Sequence, residues 1–476
     1  MVSKITSGFW AKVGRIILRN RILILVGIAA FTVFLGFQWK NMKFSTSEAN
    51  LLPDNHPLNI AYENFLQKFG EEGNTIVFAI KDSSLYEVEN FNRWNRLSKQ
   101  LAAFPEVDYV VSVDNLKELI RDKKEQLFIL RPLIEQTPVN DIEVDSLTQY
   151  MFNNLPLYDN LLYNKETGTI TTLVYMDKDI VNTPVRKDFI LKDLHILISD
   201  FEKETNMDVR VSGMPYIRTM NTQNIINEIG IFIAAALIVT SLIFFFFFRS
   251  IRATLISMCV VLIGVMWAFG ILGLLKYEIT VLTALIPPLI IVIGIPNCIF
   301  LINKYQQEVK KHGNQALSLK RVISKIGNAT LMTNVTTACG FATFIITDSK
   351  LLTEFGIVAS INILCIFILS ILIIPIVYSF MYPPKSKHLK HLNKKWIDAF
   401  VNWMEHIVRE KRITIYSISL IALIISIIGI YQIKISGNLV EDMPKSTGFY
   451  KDIQFFDEEF NGIMPIEIVI DTEKKN

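Results

Sequence analysis

The chain reads as a membrane α-helical bundle of seven spans carrying a large polar α+β domain, and three features predict this. The 476 residues are 51% hydrophobic with a mean hydropathy of +0.35, too apolar for an ordinary soluble protein. The apolar residues are gathered into runs of about 20, the length that crosses a bilayer. Between the first run and the second lies a polar stretch, residues 40–224, where apolar residues alternate as they do in strands.

Residues 1–39 hold a basic lead (Lys4, Lys12, Arg15, Arg19, Arg21, with no acid) and then an apolar run over 22–37. A cleaved signal peptide needs a small-residue site after a shorter run. None follows, so this is the first span, with its basic flank in the cytoplasm. Within 40–224, residues 75–81 and 107–113 read as strands around a helix over 88–104. The pattern recurs, with strands at 169–176 and 208–212 around an amphipathic helix over 187–204. Two strand–helix–strand units beside a membrane imply an extracytoplasmic ferredoxin-like domain that resembles a porter domain. Residues 116–160 read as short helices with charged loops.

Five spans follow in a block over 225–382: 229–248 closed by Arg249 and Arg252, 253–275, 280–308, 328–347 and 353–382. The loop 303–327 carries Lys304, Lys310, Lys311, Lys320, Arg321 and Lys325 against one acid, Glu308. The linker 383–412 carries Lys385, Lys387, Lys390, Lys394, Lys395, Arg409, Lys411 and Arg412. That bias places both in the cytoplasm. A seventh span over 413–433 returns the chain outside, where 434–476 begins a second domain.

The segment 280–308 organises the rest. Pro287, Pro288, Gly294 and Pro296 interrupt its apolar run. Pro296 frees the carbonyl of Val292, and in lipid a freed carbonyl must be satisfied by neighbouring groups. The helix is therefore expected to break inside a bundle. Asn297 at the break has two readings: a functional polar group, as intramembrane polar groups usually are, or a partner for the freed carbonyl. On the next span Thr330, Thr333, Thr337 and Gly340 share a face, with Asn334 and Thr336 beside it. A seam of small residues is one reading of that face. A relay against Asn297 is the sharper one, with the polar contact expected at Thr333 or Thr337.

The end of the chain copies its beginning at an offset of 391 residues: Arg21 meets Arg412, Lys43 meets Lys434, Pro53 meets Pro444, Phe65 meets Phe456 and Phe69 meets Phe460. After a slip of one residue the strand 76–80 meets 466–470. The order of basic flank, span, turn, helix and strand is kept, so the chain is expected to be the first half of a duplicated protein.

Other classes find no support. Net charge is +3, so no nucleic-acid partner is expected. Cys259, Cys298, Cys339 and Cys365 lie in apolar runs without metal spacing and read as small buried side chains. His56, His195, His312, His388, His391 and His406 share no ligand spacing, and no triad, phosphate loop or metalloprotease motif occurs. No enzyme activity, metal or cofactor is expected.

One span, a large outside domain, five spans and a repeat resemble the resistance–nodulation–division (RND) superfamily. FFFRSIRATLI at 246–256 resembles the junction after its second span, and TLMTNVTTACGFATF at 330–344 with LLTEFGIV at 351–358 resembles its fifth and sixth spans. LLPDNHP at 51–57 resembles the opening of the outside domain in the MMPL-like, lipid-exporting branch. The resemblance implies export of lipids or other hydrophobic molecules from a bacterial inner membrane, usually driven by protons. Its implied partners are membrane lipids and a hydrophobic substrate, with room for a homo-oligomer and a periplasmic partner. It also implies that Pro296, Asn297, Thr333, Asn334 and Thr337 occupy the relay region. Where proton-coupled relatives hold Asp-Asp or Asp-Tyr, this chain has Pro296-Asn297, and neither titrates. Proton coupling is then expected in the missing half, or nowhere. A sterol-sensor-like receptor and a SecDF-like aid to protein export share the topology and remain as alternatives.

Overall fold

The computed structural model describes residues 2–44, 55–70, 73–122, 127–248, 250–383, 395–433, 445 and 447–462. Several expectations fall outside the described residues: the start of the 51–57 motif, Arg249, most of the 383–412 lysines, His388 and His391, Lys434, Pro444 and the strand 466–470.

In chain order, α1 (Val2–Arg19) and α2 (Arg21–Phe37) lead to a short strand β1 (Lys43–Phe44). Next come α3 (Pro57–Phe69), β2 (Thr75–Ile80), α4 (Val88–Leu101), β3 (Val107–Val111), β4 (Lys117–Asp122), β5 (Leu127–Pro132) and α5 (Asp141–Asn154). After these are β6 (Tyr163–Asn164), β7 (Thr169–Met176), α6 (Pro184–Asp188), α7 (His195–Thr205) and β8 (Arg210–Ser212). The remainder is α8 (Met214–Phe248), α9 (Ile251–Leu275), β9 (Glu278–Ile279), α10 (Val281–Ala284), α11 (Ile286–His312), α12 (Gln315–Ala342), α13 (Lys350–Phe380), α14 (Lys395–Glu410), α15 (Arg412–Gln432) and α16 (Gly448–Phe460). The chain forms two compact units: one holds 1–45 and 225–437, the other 54–224 and 438–476.

In the membrane unit, seven helical stretches among the described residues are long and apolar enough to cross a bilayer. They coincide with the seven predicted spans, with longer ends. The 229–248 span is the end of the 35-residue α8. The predicted 303–327 loop is mostly helix: α11 runs to His312 and α12 starts at Gln315, leaving Gly313 and Asn314 between them. The basic lead is the amphipathic helix α1, which buries Trp10 and Ile17 with Ile323 of α12 and Phe367 and Ile371 of α13. α2 lies close along α9, where a Cβ on Gly273 would sit 2.2 Å from the Gln38 carbonyl oxygen. No larger residue fits there without moving backbone. The Trp267 indole donates to Thr32 Oγ1 at 2.8 Å across the same contact. α15 buries none of its residues. Two of the four cysteines depart from expectation: Cys259 and Cys339 are exposed, because they lie on the outer faces of α9 and α12, whereas Cys298 is buried.

The α/β unit joins the four predicted strands in one antiparallel sheet of order β3-β7-β2-β8, with β6 added to β7. β2 pairs with both β7 and β8, and β7 with β3. β2 and β3 thus run parallel with one strand between them, as a strand–helix–strand unit requires. α4 and α7 pack together through the Trp94 and Phe201 rings, 5.6 Å apart, over a core that includes Phe78, Phe91 and Val174. The expectation of short helices over 116–160 is corrected in part. α5 is present, but β4 and β5 form a separate antiparallel hairpin. Its five charges over Lys117–Asp122 and Arg131 hide the alternation.

α16 also belongs to this unit and adds Phe456 and Phe460 to its core. Glu459, 7% exposed, pairs with Lys81 and accepts from Thr169 Oγ1 at 2.8 Å. Arg210 of β8 meets Asp452 at 3.1 Å. α3 and α16 are each 13 residues long. Their first and last residues are separated by the same 391 positions that relate Phe65 to Phe456.

Candidate functional site

α11 is built to pass through the middle of the bundle. Pro287 and Pro288 fall in its first turn, where the missing N–H groups would have no helical partner. They open α11 just after the interruption at Leu285 that separates it from α10, so the segment is broken at this pair as expected. Pro296 lies inside α11, which continues unbroken to His312. The break predicted at Pro296 is therefore absent. Proline in a bundle helix is tolerated when packing on both sides holds the backbone, and the packing here is close. A Cβ on Gly294 would lie 3.1 Å from Val261 of α9 and 3.3 Å from Ile366 of α13. α9, α11 and α13 thus meet at Gly294, one turn before Asn297.

Asn297 is 4% exposed and Asn334 of α12 is 2% exposed. Their side chains pair reciprocally. Asn297 Nδ2 donates to Asn334 Oδ1 at 3.0 Å, and Asn334 Nδ2 donates to Asn297 Oδ1 at 2.8 Å. Asn334 Nδ2 also reaches the Thr330 carbonyl at 2.7 Å. The Thr330 hydroxyl in turn donates to the Ile326 carbonyl at 3.0 Å. Each amide satisfies the other, so two polar side chains enter an apolar core at little net cost.

Two expectations are corrected by this geometry. Asn297 meets Asn334, not Thr333 or Thr337. α12 turns the stripe Ile323, Gly327, Thr330, Asn334 and Ala338 inward, which leaves Thr333 exposed and Thr337 half-buried. Both threonine hydroxyls bond carbonyls of their own helix, at Ala329 and Thr333. Nor does Asn297 serve the backbone beside Pro296, since its amide is engaged across the interface.

Two buried polar groups were missed in the sequence. Asn362 of α13 is 1% exposed; it donates to the Val358 carbonyl at 2.8 Å, and its Oδ1 has no partner. Its surroundings in the sequence are apolar apart from Ser360, and a lone amide in such a run was the available signal. Glu308, read as a loop acid, is 1% exposed near the end of α11, with Lys325 Nζ at 2.9 Å, His312 at 3.7 Å and Arg321 at 3.8 Å. Its spacing of four from His312 on one helix was visible; the return of α12 with two cations was not.

The Asn297–Asn334 pair itself offers no charge and no titrating group; the charged contact between α11 and α12 lies further along, at Glu308 and Lys325. The pair can hold two helices in register through a directional contact. A model of the MMPL family matches residues 89–409, which take in most of the α/β unit together with the helices from α8 to α14. A membrane protein of Methanocaldococcus jannaschii is 23% identical over 347 residues, covering 72% of this chain and 86% of the relative.

Proposed function

Because the chain belongs to the MMPL family of the RND superfamily, we propose that it is a membrane transporter that exports lipids or other hydrophobic molecules from a bacterial plasma membrane, without covalent chemistry of its own. The α/β unit, a ferredoxin-like sheet with its helices, is the extracytoplasmic part that receives substrate. α3 and α16, matched in length and offset, are the corresponding helices of an internal repeat. Proton coupling does not run through Pro296 or Asn297, since neither titrates.

The observation that carries this reading is the Asn297–Asn334 pair. Polar groups are rare and costly inside an apolar bundle, and those that persist there mark working parts. A net contact of about 0.6 kcal/mol, at most near 2, can bias two helix arrangements but cannot drive export. That neutrality also favours the second reading, a sterol-sensor-like receptor that moves nothing.

Two experiments decide between them. In a cysteine-free background, an impermeant reagent applied to intact cells is expected to label Asp145→Cys and spare Lys311→Cys; the reverse pattern rejects the orientation. Export of a fluorescent lipid from proteoliposomes or cells, with and without an uncoupler, separates transport from sensing. No export under any gradient leaves the receptor reading.

A further inference from the structure

α14 carries an apolar face that the transport reading does not use. Phe400, Trp403, Met404 and Ile407 recur at helical spacing and share one side of the helix. Phe400, Trp403 and Met404 are exposed, and no side chain described on α14 is buried. Asn402, Glu405, His406 and Arg409 take the other side. Glu405 pairs with Arg409 at 2.8 Å, and Glu410 lies 3.3 Å from His406. A contiguous exposed apolar face of this kind marks contact with a membrane or with a protein.

The position of α15 selects the membrane. Only Lys411 separates α14 from α15. α15 has 21 residues, about 31 Å of helix, and the hydrocarbon core of a bilayer is about 30 Å thick. It therefore spans only by entering at Arg412, which leaves the end of α14 at the headgroups. α14 itself, with 16 residues, is too short to cross. Charge agrees. The stretch 383–412 holds eight Lys and Arg against Asp398, Glu405 and Glu410, and basic residues beside a span are drawn to anionic lipid.

α1 argues against a protein partner. At the offset of 391 residues, α1 and α14 end on matching positions, Arg19 and Glu410. α1 docks on α12 and α13 through Trp10, Gly14 and Ile17, and leaves Phe9, Lys12 and Ile16 exposed. On α14, Glu405 takes the place of Gly14, and Trp403 that of Lys12. A carboxylate has entered the side that would dock on apolar helices, where its burial would be costly. An indole has entered the side that α1 leaves open.

We infer that α14 lies along the surface of an anionic bilayer, with Phe400, Trp403, Met404 and Ile407 among the headgroups and upper acyl chains. The inference rests on α15 as a membrane span and on the proposed repeat, not on the export reading.

The test uses the full chain in a cysteine-free background, with a fluorescent probe on one introduced cysteine. The protein is held in lipid nanodiscs that carry a nitroxide lipid labelled near the headgroup. In discs rich in phosphatidylglycerol, the probe at Met404→Cys is expected to be quenched about threefold more than the probe at Asn402→Cys. That difference is expected to shrink in discs of phosphatidylcholine alone. A probe at Ser419→Cys on α15 is expected to be quenched in both. Equal quenching at the two α14 positions, or no difference between the lipids, overturns the proposal. A blue-shifted Met404→Cys probe that escapes quenching shows α14 docked on protein, and also overturns it. In each of these cases quenching at Ser419→Cys keeps the span. Its loss removes the span, and the inference falls with that premise.

Discussion

Asn297 and Asn334 join α11 to α12 through two neutral amides, whereas Glu459 joins α16 to the sheet through a carboxylate that takes bonds from Lys81, Thr167 and Thr169. Both contacts are buried and both hold one helix to its neighbour. They differ in the cost of charge. Inside an apolar bundle a carboxylate would need a full set of partners to stay ionised, and an amide pair needs only its mate. In the α/β unit, Lys81 is half-exposed and two threonine hydroxyls lie within reach, so an ionised group can be held. Burial alone would raise the Glu459 pKa, but the bonds from Lys81, Thr167 and Thr169 together bring it below the ordinary carboxylate range. Asp452 on the same helix goes the other way: burial raises its pKa, and Arg210 only partly offsets that. The docking of α16 is thus sensitive to pH, and the Asn297–Asn334 pair is not.

The largest effect that would break this contrast is at Glu459. Glu459→Ala strands Lys81 and two threonine hydroxyls, and hydrogen bonds to a charged group are worth about 1.5–3 kcal/mol. Denaturant unfolding of the α/β unit is expected to shift by that amount, with faster hydrogen exchange confined to 448–460. No shift in either measurement would mean that α16 is held by its apolar face and the Arg210–Asp452 pair without help from Glu459.

A smaller effect sharpens it. The Glu459 pKa lies below its unfolded value of about 4.3. Its contribution is complete above that pH and fades as the pH falls through the folded value. The Asp452 pKa lies above its unfolded value of about 3.9. Its contribution is complete below that value and is lost as the pH rises through the folded one. Asp452→Asn is therefore expected to leave stability at pH 7 within about 1 kcal/mol of the parent, or to raise it, since pairs of this kind are worth about 0–1 kcal/mol. A loss comparable to that of Glu459→Ala would show that the Arg210 pair, not burial, governs Asp452.

The spans and the sheet were legible because their signals have few rivals. A run of 20 apolar residues has no place in a small soluble core, and the β-branched and aromatic residues of 169–176 (TITTLVYM) fit a strand better than a helix. Boundaries were harder. α8 runs straight through Asn221, Asn224 and Asn227, polar positions that look like the end of a domain because a helix leaving a membrane faces water and needs polar residues there. Pro296 looked like a break because its local cost of about 3 kcal/mol can be read from sequence, while the packing at Gly294 that offsets it cannot. The partner of Asn297 was misplaced for a related reason. Helical spacing says which residues of α12 share a face, but not which face turns inward, and one residue of rotation separates Thr333 from Asn334.

The smallest expected effect is the strongest test of the membrane half of the comparison. A double-mutant cycle on Asn297→Ala and Asn334→Ala, read by unfolding of the purified chain in mixed micelles, is expected to give a coupling of about 0.6 kcal/mol and at most near 2. Each single change leaves the other amide without its mate, so either alone should cost more than the coupling suggests, and the double change should recover part of that loss. Neither amide titrates, so the coupling should be the same at pH 5 and pH 8. Asn334→Asp supplies the contrast: a carboxyl at that position can titrate, and pH dependence should appear in the variant only. If the parent itself shows a coupling that changes between pH 5 and pH 8, a titrating group acts through this contact. The neutral latch between α11 and α12 would then be the wrong account of the membrane unit.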